Sequence, residues 1–249
     1  MGFDACDNVI MDKLFIVMPA YNEEENIKTT LDAWYPIVEK HSAGGESRIV
    51  VVDDGSKDST YKMMLEYAET HPLFTPLTKP NGGHGPTVIY AYDYAIKNGA
   101  DYIFQTDSDG QTDPDEFEAF WNEREQYDGI FGYRNVRGDG KSRAFVEKVV
   151  CFLLKIYFGV KIPDANAPFR LMKTATVEKY LYRLAPDYNL PNIMITTYFV
   201  YYKEKVKFNT ISFKPREKGT NTINFKKIFK IGWKALKDFR LLKKGMKAK

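Results

Sequence analysis

Cysteine is scarce in this chain: Cys6 and Cys151 are the only two in 249 residues. They lie far apart without metal-type spacing, which argues against a disulfide framework and fits a reducing compartment. No run of 18 or more apolar residues occurs, so no membrane-spanning helix is expected. The first ten residues carry Asp4 and Asp7 and no basic stretch, unlike a secretory signal. No Gly-x-Gly-x-x-Gly follows the first strand-like run, which excludes a Rossmann oxidoreductase. Internal repeats and low-complexity tracts are also missing.

Acidic residues are nearly absent from the C-terminal end. Residues 223–249 hold ten Lys/Arg and one acid, Asp238, leaving 26 basic and 32 acidic residues before them. A −6 body thus carries a +9 tail, which points to an anionic partner. Phe225, Ile228, Phe229, Gly232, Leu236, Phe239 and Met246 share one side at helical spacing. Combined with the lysines and Trp233, that pattern predicts an amphipathic helix resting on an anionic membrane surface. A basic helix packed on the domain is the alternative. No nucleic-acid-binding module is recognisable, so no nucleic-acid partner is expected.

Apolar runs alternate with helix-like segments through the first half. Residues 13–20, 48–54, 72–78 and 101–107 read as strands; 24–40, 58–70 and 86–98 read as helices. The alternation predicts an α/β fold with a mainly parallel central sheet covered on both faces. We divide the chain into an extension over 1–12, a catalytic domain over 13–222 and the basic helix over 223–249. Residues 144–159 are apolar nearly all round and read as a core helix, with partial insertion at a membrane interface as the alternative. Residues 206–213 read as a further strand.

Ligands of such sheets bind beyond the carboxyl ends of the strands. Three polar clusters fall there: Tyr21-Asn22-Glu23, Asp53-Asp54-Gly55-Ser56 and Asp107-Ser108-Asp109. In QTDSDGQTDP (105–114), Asp107, Asp109 and Gln111 alternate at i, i+2 and i+4. Close carboxylates repel unless a cation sits between them, and hard oxygen ligands suit Mg²⁺ or Mn²⁺. A solvated acidic turn is the other reading.

IVMPAYNEEENI (16–27), VVDDGSKDST (51–60), NGGHG (81–85) and TDSDGQ (106–111), in this order and spacing, resemble family 2 glycosyltransferases. The resemblance implies a glycosyltransferase A-type fold, an inverting reaction, a nucleotide-sugar donor and a divalent metal. The finer pattern is similar to dolichyl-phosphate mannose synthase and bacterial polyprenyl-phosphate relatives. It rests on Asp-x-Asp-x-Gln, on Asp164…Phe169-Arg170, and on Arg216-x-x-Gly219. Asn221-Thr222 depart from the Ser-Lys of that group.

Several site expectations follow. Asp109 and Gln111 would hold Mg²⁺ or Mn²⁺, and Asp107 would hold the metal or the ribose. Tyr21 would stack on the base, with Asp54 and Glu23 accepting from base or ribose donors and Pro19, Asp53, Gly83 and Ser108 lining the nucleotide. Arg134, Arg143, Arg170, Arg216 and Lys218 are candidates for the diphosphate and acceptor, since arginine's planar fork suits phosphate oxygens. Residues 189–195, NLPNIMI, have no carboxylate where related enzymes carry a general base; Asp164 and Asp187 are the alternatives. A phosphate acceptor needs no strong base, so a polyprenyl phosphate or lipid-linked glycan is the expected acceptor. Hydroxyl-directed elongation of a capsule or cell-wall polysaccharide is a second reading, and a non-catalytic nucleotide-sugar-binding protein a third. The expected location is cytoplasmic, peripheral at the inner face of the cell membrane.

Overall fold

The structure, a computed structural model, describes residues 12–134, 141–215, 238–244 and 246. In chain order its strands and helices are β1 (Leu14–Ala20), α1 (Ile27–Lys40), β2 (Arg48–Asp53), α2 (Thr60–Ala68), β3 (Phe74–Thr78), α3 (His84–Lys97), β4 (Tyr102–Thr106), α4 (Phe117–Trp121), β5 (Gly129–Arg134), α5 (Lys141–Phe158), β6 (Phe169–Lys173), α6 (Thr174–Leu181), α7 (Pro191–Tyr201) and β7 (Val206–Ile211).

The strands form one sheet in the order β3-β2-β1-β4-β6-β5-β7. Only β6 runs against its neighbours, so the sheet is mostly parallel, as expected. Side chains alternate between faces along a strand, and the buried residues divide accordingly. Phe15, Val17, Val50, Val52 and Ile103 join one core with α3, α5, α6 and α7. Leu14, Ile16, Met18, Val51 and Phe104 join the other with α1, α2 and α4. In α1 the buried Ile27, Leu31, Trp34, Tyr35 and Val38 follow the spacing that gives a helix one apolar face.

Two strands go beyond the sequence reading. β5 and β6 were not anticipated, and β6 reverses direction to enter the sheet beside β4. The parallel strands β1, β2, β4 and β5 therefore all end at one edge, where antiparallel β6 begins: Ala20 pairs with Asp53, and Thr106 pairs with Phe169.

Most of the basic tail, including Trp233, lies outside the described residues. Residues 238–244 are helical. Phe239 and Met246 are buried in the domain core, with the Phe239 ring 5.7 Å from that of Phe158. These two members of the stripe are thus engaged with the domain. Residues 1–11 also lie outside the description; Asp12 accepts from Arg124 Nε at 2.7 Å.

Candidate active site

The loops after β1 and β2 are sewn together. Asn22 N–H donates to Ser56 Oγ at 2.9 Å, Lys57 N–H to Asn22 Oδ1 at 2.8 Å, and Glu23 N–H to Thr60 Oγ1 at 2.8 Å. The buried Glu23 carboxylate accepts from Asn26 Nδ2 at 2.8 Å. Tyr21 stays half-exposed at this edge.

The two aspartates after β2 are engaged within the protein. Asp53 accepts from Ser56 N–H and from Thr78 Oγ1 at 2.8 Å, fastening the turn to β3. Asp54 accepts from Lys79 Nζ and from the N–H groups of Gly82 and Gly83 at 2.9 and 2.7 Å. Burial pushes the Asp54 pKa up, but Lys79 and the two amides outweigh it and hold it below the carboxylate norm. Its side chain thus braces the glycine loop that opens α3. Gly85, in the first turn of α3, has no room for a side chain. A Cβ there would stand 2.4 Å from Tyr188 O and 2.5 Å from the Asn189 backbone. Alanine normally favours a helix over glycine by about 1 kcal/mol, yet Gly85→Ala should destabilise by about 1–3 kcal/mol through overpacking. Thermal unfolding checks this: an unchanged or raised midpoint contradicts the close approach.

Asp107 and Asp109 follow β4 as expected. His84 Nε2 lies 3.4 Å from Asp107 Oδ1. Desolvation lowers the His84 pKa, but Asp107, Asp109 and Asp54 raise it by more. Asp109 Oδ1 accepts from Gln111 N–H at 3.2 Å. Ser108 Oγ donates to Pro19 O at 2.8 Å, tying this loop to β1. Gln111 is buried, and its Nε2 donates to Lys214 O at 2.8 Å while its backbone carbonyl accepts from Lys214 N–H. It clasps the segment after β7 against the acidic loop.

The cationic candidates separate. Arg134, at the end of β5, forms a bidentate pair with Asp164 at 2.8 and 3.0 Å, and Glu147 stands 4.0 Å away. Both partners are buried. Burial raises the Asp164 pKa, yet the Arg134 bonds win and the direction is down, as in an ion-pair partner. Arg170 is 1% exposed, below the reach of a ligand. Its guanidinium donates to Asn192 O at 2.9 Å, to Ala165 O at 3.3 Å and to Thr196 Oγ1. The side chain of Arg143, and all of Arg216 and Lys218, lie outside the described residues. Sequence reasoning passed over Lys79, Gln105, Tyr92, Asn192 and Lys214. Gln105 in YIFQT and Asn192 in NLPNIMI are amides inside apolar runs, too few to change a periodicity.

The edge holding these loops lies within the region shared with known proteins: the model described as glycosyl transferase family 2 matches residues 15–181, well over half of the chain. The chain belongs to glycosyl transferase family 2. This family 2 glycosyltransferase is 36% identical over 106 residues to dolichyl-phosphate beta-glucosyltransferase ALG5C of Trichomonas vaginalis, covering 41% of this chain and 31% of that protein. It is 26% identical over 178 residues to undecaprenyl-phosphate 4-deoxy-4-formamido-L-arabinose transferase of Shewanella sediminis, covering 70% of this chain and 52% of that protein. It therefore spans about a third to a half of the length of these relatives. Glucosyl-3-phosphoglycerate synthase from Mycobacterium tuberculosis, solved with Mn²⁺ and UDP-glucose, superposes with a TM-score of 0.65 at 16% identity. The match covers 90% of this chain and 77% of that one. At that identity the likeness shows the fold, the glycosyltransferase A type.

The donor set of this glycosyltransferase suits Mg²⁺ or Mn²⁺. Among the described residues no three His, Cys, Asp or Glu side chains gather into a complete metal cage. Asp107 and Asp109 instead offer two carboxylates at a ligand-binding edge, the arrangement by which Mg²⁺ is held when substrate phosphates complete its shell.

Proposed function

We propose that the enzyme transfers a sugar, with inversion, from a nucleoside-diphosphate sugar to a polyprenyl phosphate at a membrane surface. The observation that carries this reading is the pairing of Asp164 with Arg134. Asp164, one of the two carboxylates read as alternatives for a general base, is taken, and an acceptor that is already an anion needs none. The kinship with two polyprenyl-phosphate transferases supports the same acceptor.

In this reading Asp107 and Asp109 would hold Mg²⁺ or Mn²⁺. The cation, when bound, would neutralise the charge that grows on the leaving diphosphate. Tyr21 stacks on the base, and Glu23 orders the loop beneath it. An acceptor phosphate oxygen forms a bond to the anomeric carbon. The bond from that carbon to the diphosphate oxygen breaks, and the electron pair leaves with the nucleoside diphosphate. Asp54 and Lys79 keep the glycine loop in place beside the acidic motif. A hydroxyl acceptor remains the second reading, favoured by Asn221-Thr222 standing where the polyprenyl-phosphate group has Ser-Lys.

No helix among the described residues is long and apolar enough to cross a membrane. Surface attachment is supported by α5, which exposes Val149, Phe152 and Ile156 at 39%, 62% and 58%. They recur at i, i+3 and i+7, with the exposed Lys148 and Lys155 beside them. Apolar side chains with flanking lysines suit an anionic bilayer surface. In this reading α5 carries the contact, while the described Phe239 and Met246 of the tail are packed on the domain.

The test is a screen of UDP-, GDP- and dTDP-sugars with Mn²⁺ on anionic vesicles, with and without polyprenyl phosphate. Nucleoside diphosphate release should rise with the lipid phosphate. Release that rises only with a glycan acceptor supports the hydroxyl reading. In the same vesicles, Phe152→Glu with Ile156→Glu should lower binding roughly tenfold or more, since each side chain contributes about 1.5–3 kcal/mol when fully buried. Donor hydrolysis in solution should be unchanged. Undiminished vesicle binding would move the contact elsewhere.

A further inference from the structure

Gln105 is the penultimate residue of β4 and is fully buried. Its Nε2 donates to Asp107 Oδ1 at 3.3 Å, and its Oε1 accepts from Asn192 Nδ2 at 2.9 Å. Asn192, in the first turn of α7, accepts at Oδ1 from Tyr92 Oη at 2.9 Å. Its backbone carbonyl receives Arg170 Nη1 at 2.9 Å and Thr196 Oγ1 at 2.9 Å. Gln105, Asn192, Tyr92, Thr196 and Arg170 are each no more than 2% exposed. A file of polar side chains therefore crosses the interior from α3 through α7 to β4 and ends on one carboxylate at the mouth.

The file has a direction. Tyr92 donates to Asn192, Asn192 to Gln105, and Gln105 to Asp107. Burial pushes the Tyr92 pKa up to about 12, so its hydroxyl keeps its proton. Each donor strengthens the next in a low-dielectric interior, and the last, the longest at 3.3 Å, meets an anion. Reversing the Gln105 amide would set its oxygen against the carboxylate. The position of Asn192 is in turn fixed through its backbone by Arg170 and Thr196. The Arg170 guanidinium lies 5.0 Å from the centre of the Phe131 ring.

A core gains little from such an arrangement. Buried hydrogen bonds contribute modestly, and apolar groups of the same shape do as well or better. The amides have an evident use only at the end of the file. Among the described residues the side-chain contacts of Asp107, with His84 and Gln105, both fall on Oδ1, which leaves Oδ2 for a ligand.

We infer that Gln105, Asn192 and Tyr92 are positioning residues that hold the Asp107 carboxylate in its ligand-binding orientation through a directed file of buried hydrogen bonds. The inference rests on the reading of Asp107 as a ligand of the divalent cation. Partners that orient metal ligands typically change affinity by about 10–100-fold when removed.

The experiment uses the full chain and follows free Mn²⁺ by electron paramagnetic resonance, with UDP and separately GDP present. Thermal unfolding is recorded for every variant. Gln105→Met keeps the volume and removes the amide, so Mn²⁺ binding should weaken roughly tenfold; the unfolding midpoint should fall modestly, because the buried Asn192 Nδ2 loses its acceptor, while unfolding stays cooperative. Tyr92→Phe removes only the far hydroxyl, folds on the same packing, and should weaken binding roughly threefold. The double variant should bind no worse than Gln105→Met alone, because the file is already cut nearer its end. Wild-type affinity in both single variants, or effects that multiply in the double variant, would overturn the file. Asp107→Asn separates the two levels. If it binds Mn²⁺ as the unaltered chain does, the metal reading of Asp107 and the file fall together. If it loses Mn²⁺ while Gln105→Met and Tyr92→Phe do not, the file alone falls.

Discussion

Asp109→Asn is expected to reduce sugar transfer by about 10²–10³-fold, the scale seen when one preorganised stabiliser of transition-state charge is removed. The substitution keeps an oxygen at Oδ1 to accept from Gln111 N–H, so the turn holds. Asp109 is only half-buried, and its unfolding free energy should shift by no more than about 0.5 kcal/mol. Loss of activity should therefore come without loss of the fold. Excess chelator should silence the unaltered enzyme to the same degree, and Mn²⁺ should restore it. Steady-state transfer and thermal unfolding on the same preparation check both halves. Full turnover by Asp109→Asn, or in excess chelator, would remove the metal from the reaction.

The second large effect is on stability. Asp164→Ala strands the Arg134 guanidinium in the interior, and breaking a buried pair from one side costs about 3–5 kcal/mol. Glu147, at 4.0 Å, is a carboxylate still within reach and sets the expectation near the lower end. Replacing both partners with apolar residues, Asp164→Leu with Arg134→Met, should recover most of the loss. The folded pKa of Asp164 is depressed. Its contribution is thus complete above the unfolded value of about 3.9 and is lost as pH falls through the folded pKa. Denaturant unfolding from neutral to acid pH should show that step in the unaltered chain and not in Asp164→Ala. A variant that stays fully stable but cannot transfer sugar would return Asp164 to the chemistry.

These expectations differ from a reading of the residues alone, and the reason lies in distance along the chain. The strands β1, β2 and β4 were legible because each is an apolar run closing on a polar cluster, and parallel topology then set those clusters on one edge. The acidic motif was legible because its residues are two apart. The partner of Asp164 is 30 residues away, and the partner of Asp54 is 25. Neither spacing leaves a local pattern, so both carboxylates read as free groups. The strand β5 escaped because Gly129 and Gly132 lower its strand propensity. A Cβ at Gly129 would come within 2.8–2.9 Å of the Phe199 and Phe131 rings, so the missing side chain is what lets the layers meet. The strand β6 escaped because its Arg170 reads as a ligand for phosphate, whereas the fold buries it. Gln105 escaped because a single amide changes no periodicity.

The most direct measurement is ¹H–³¹P correlation NMR of the product formed from an α-linked nucleotide sugar, Mn²⁺ and a short polyprenyl phosphate. The expected product is a β-linked sugar whose anomeric proton couples to a single lipid phosphorus. An α-linked product, or a sugar attached to carbon-bound oxygen with no phosphorus coupling, would contradict it.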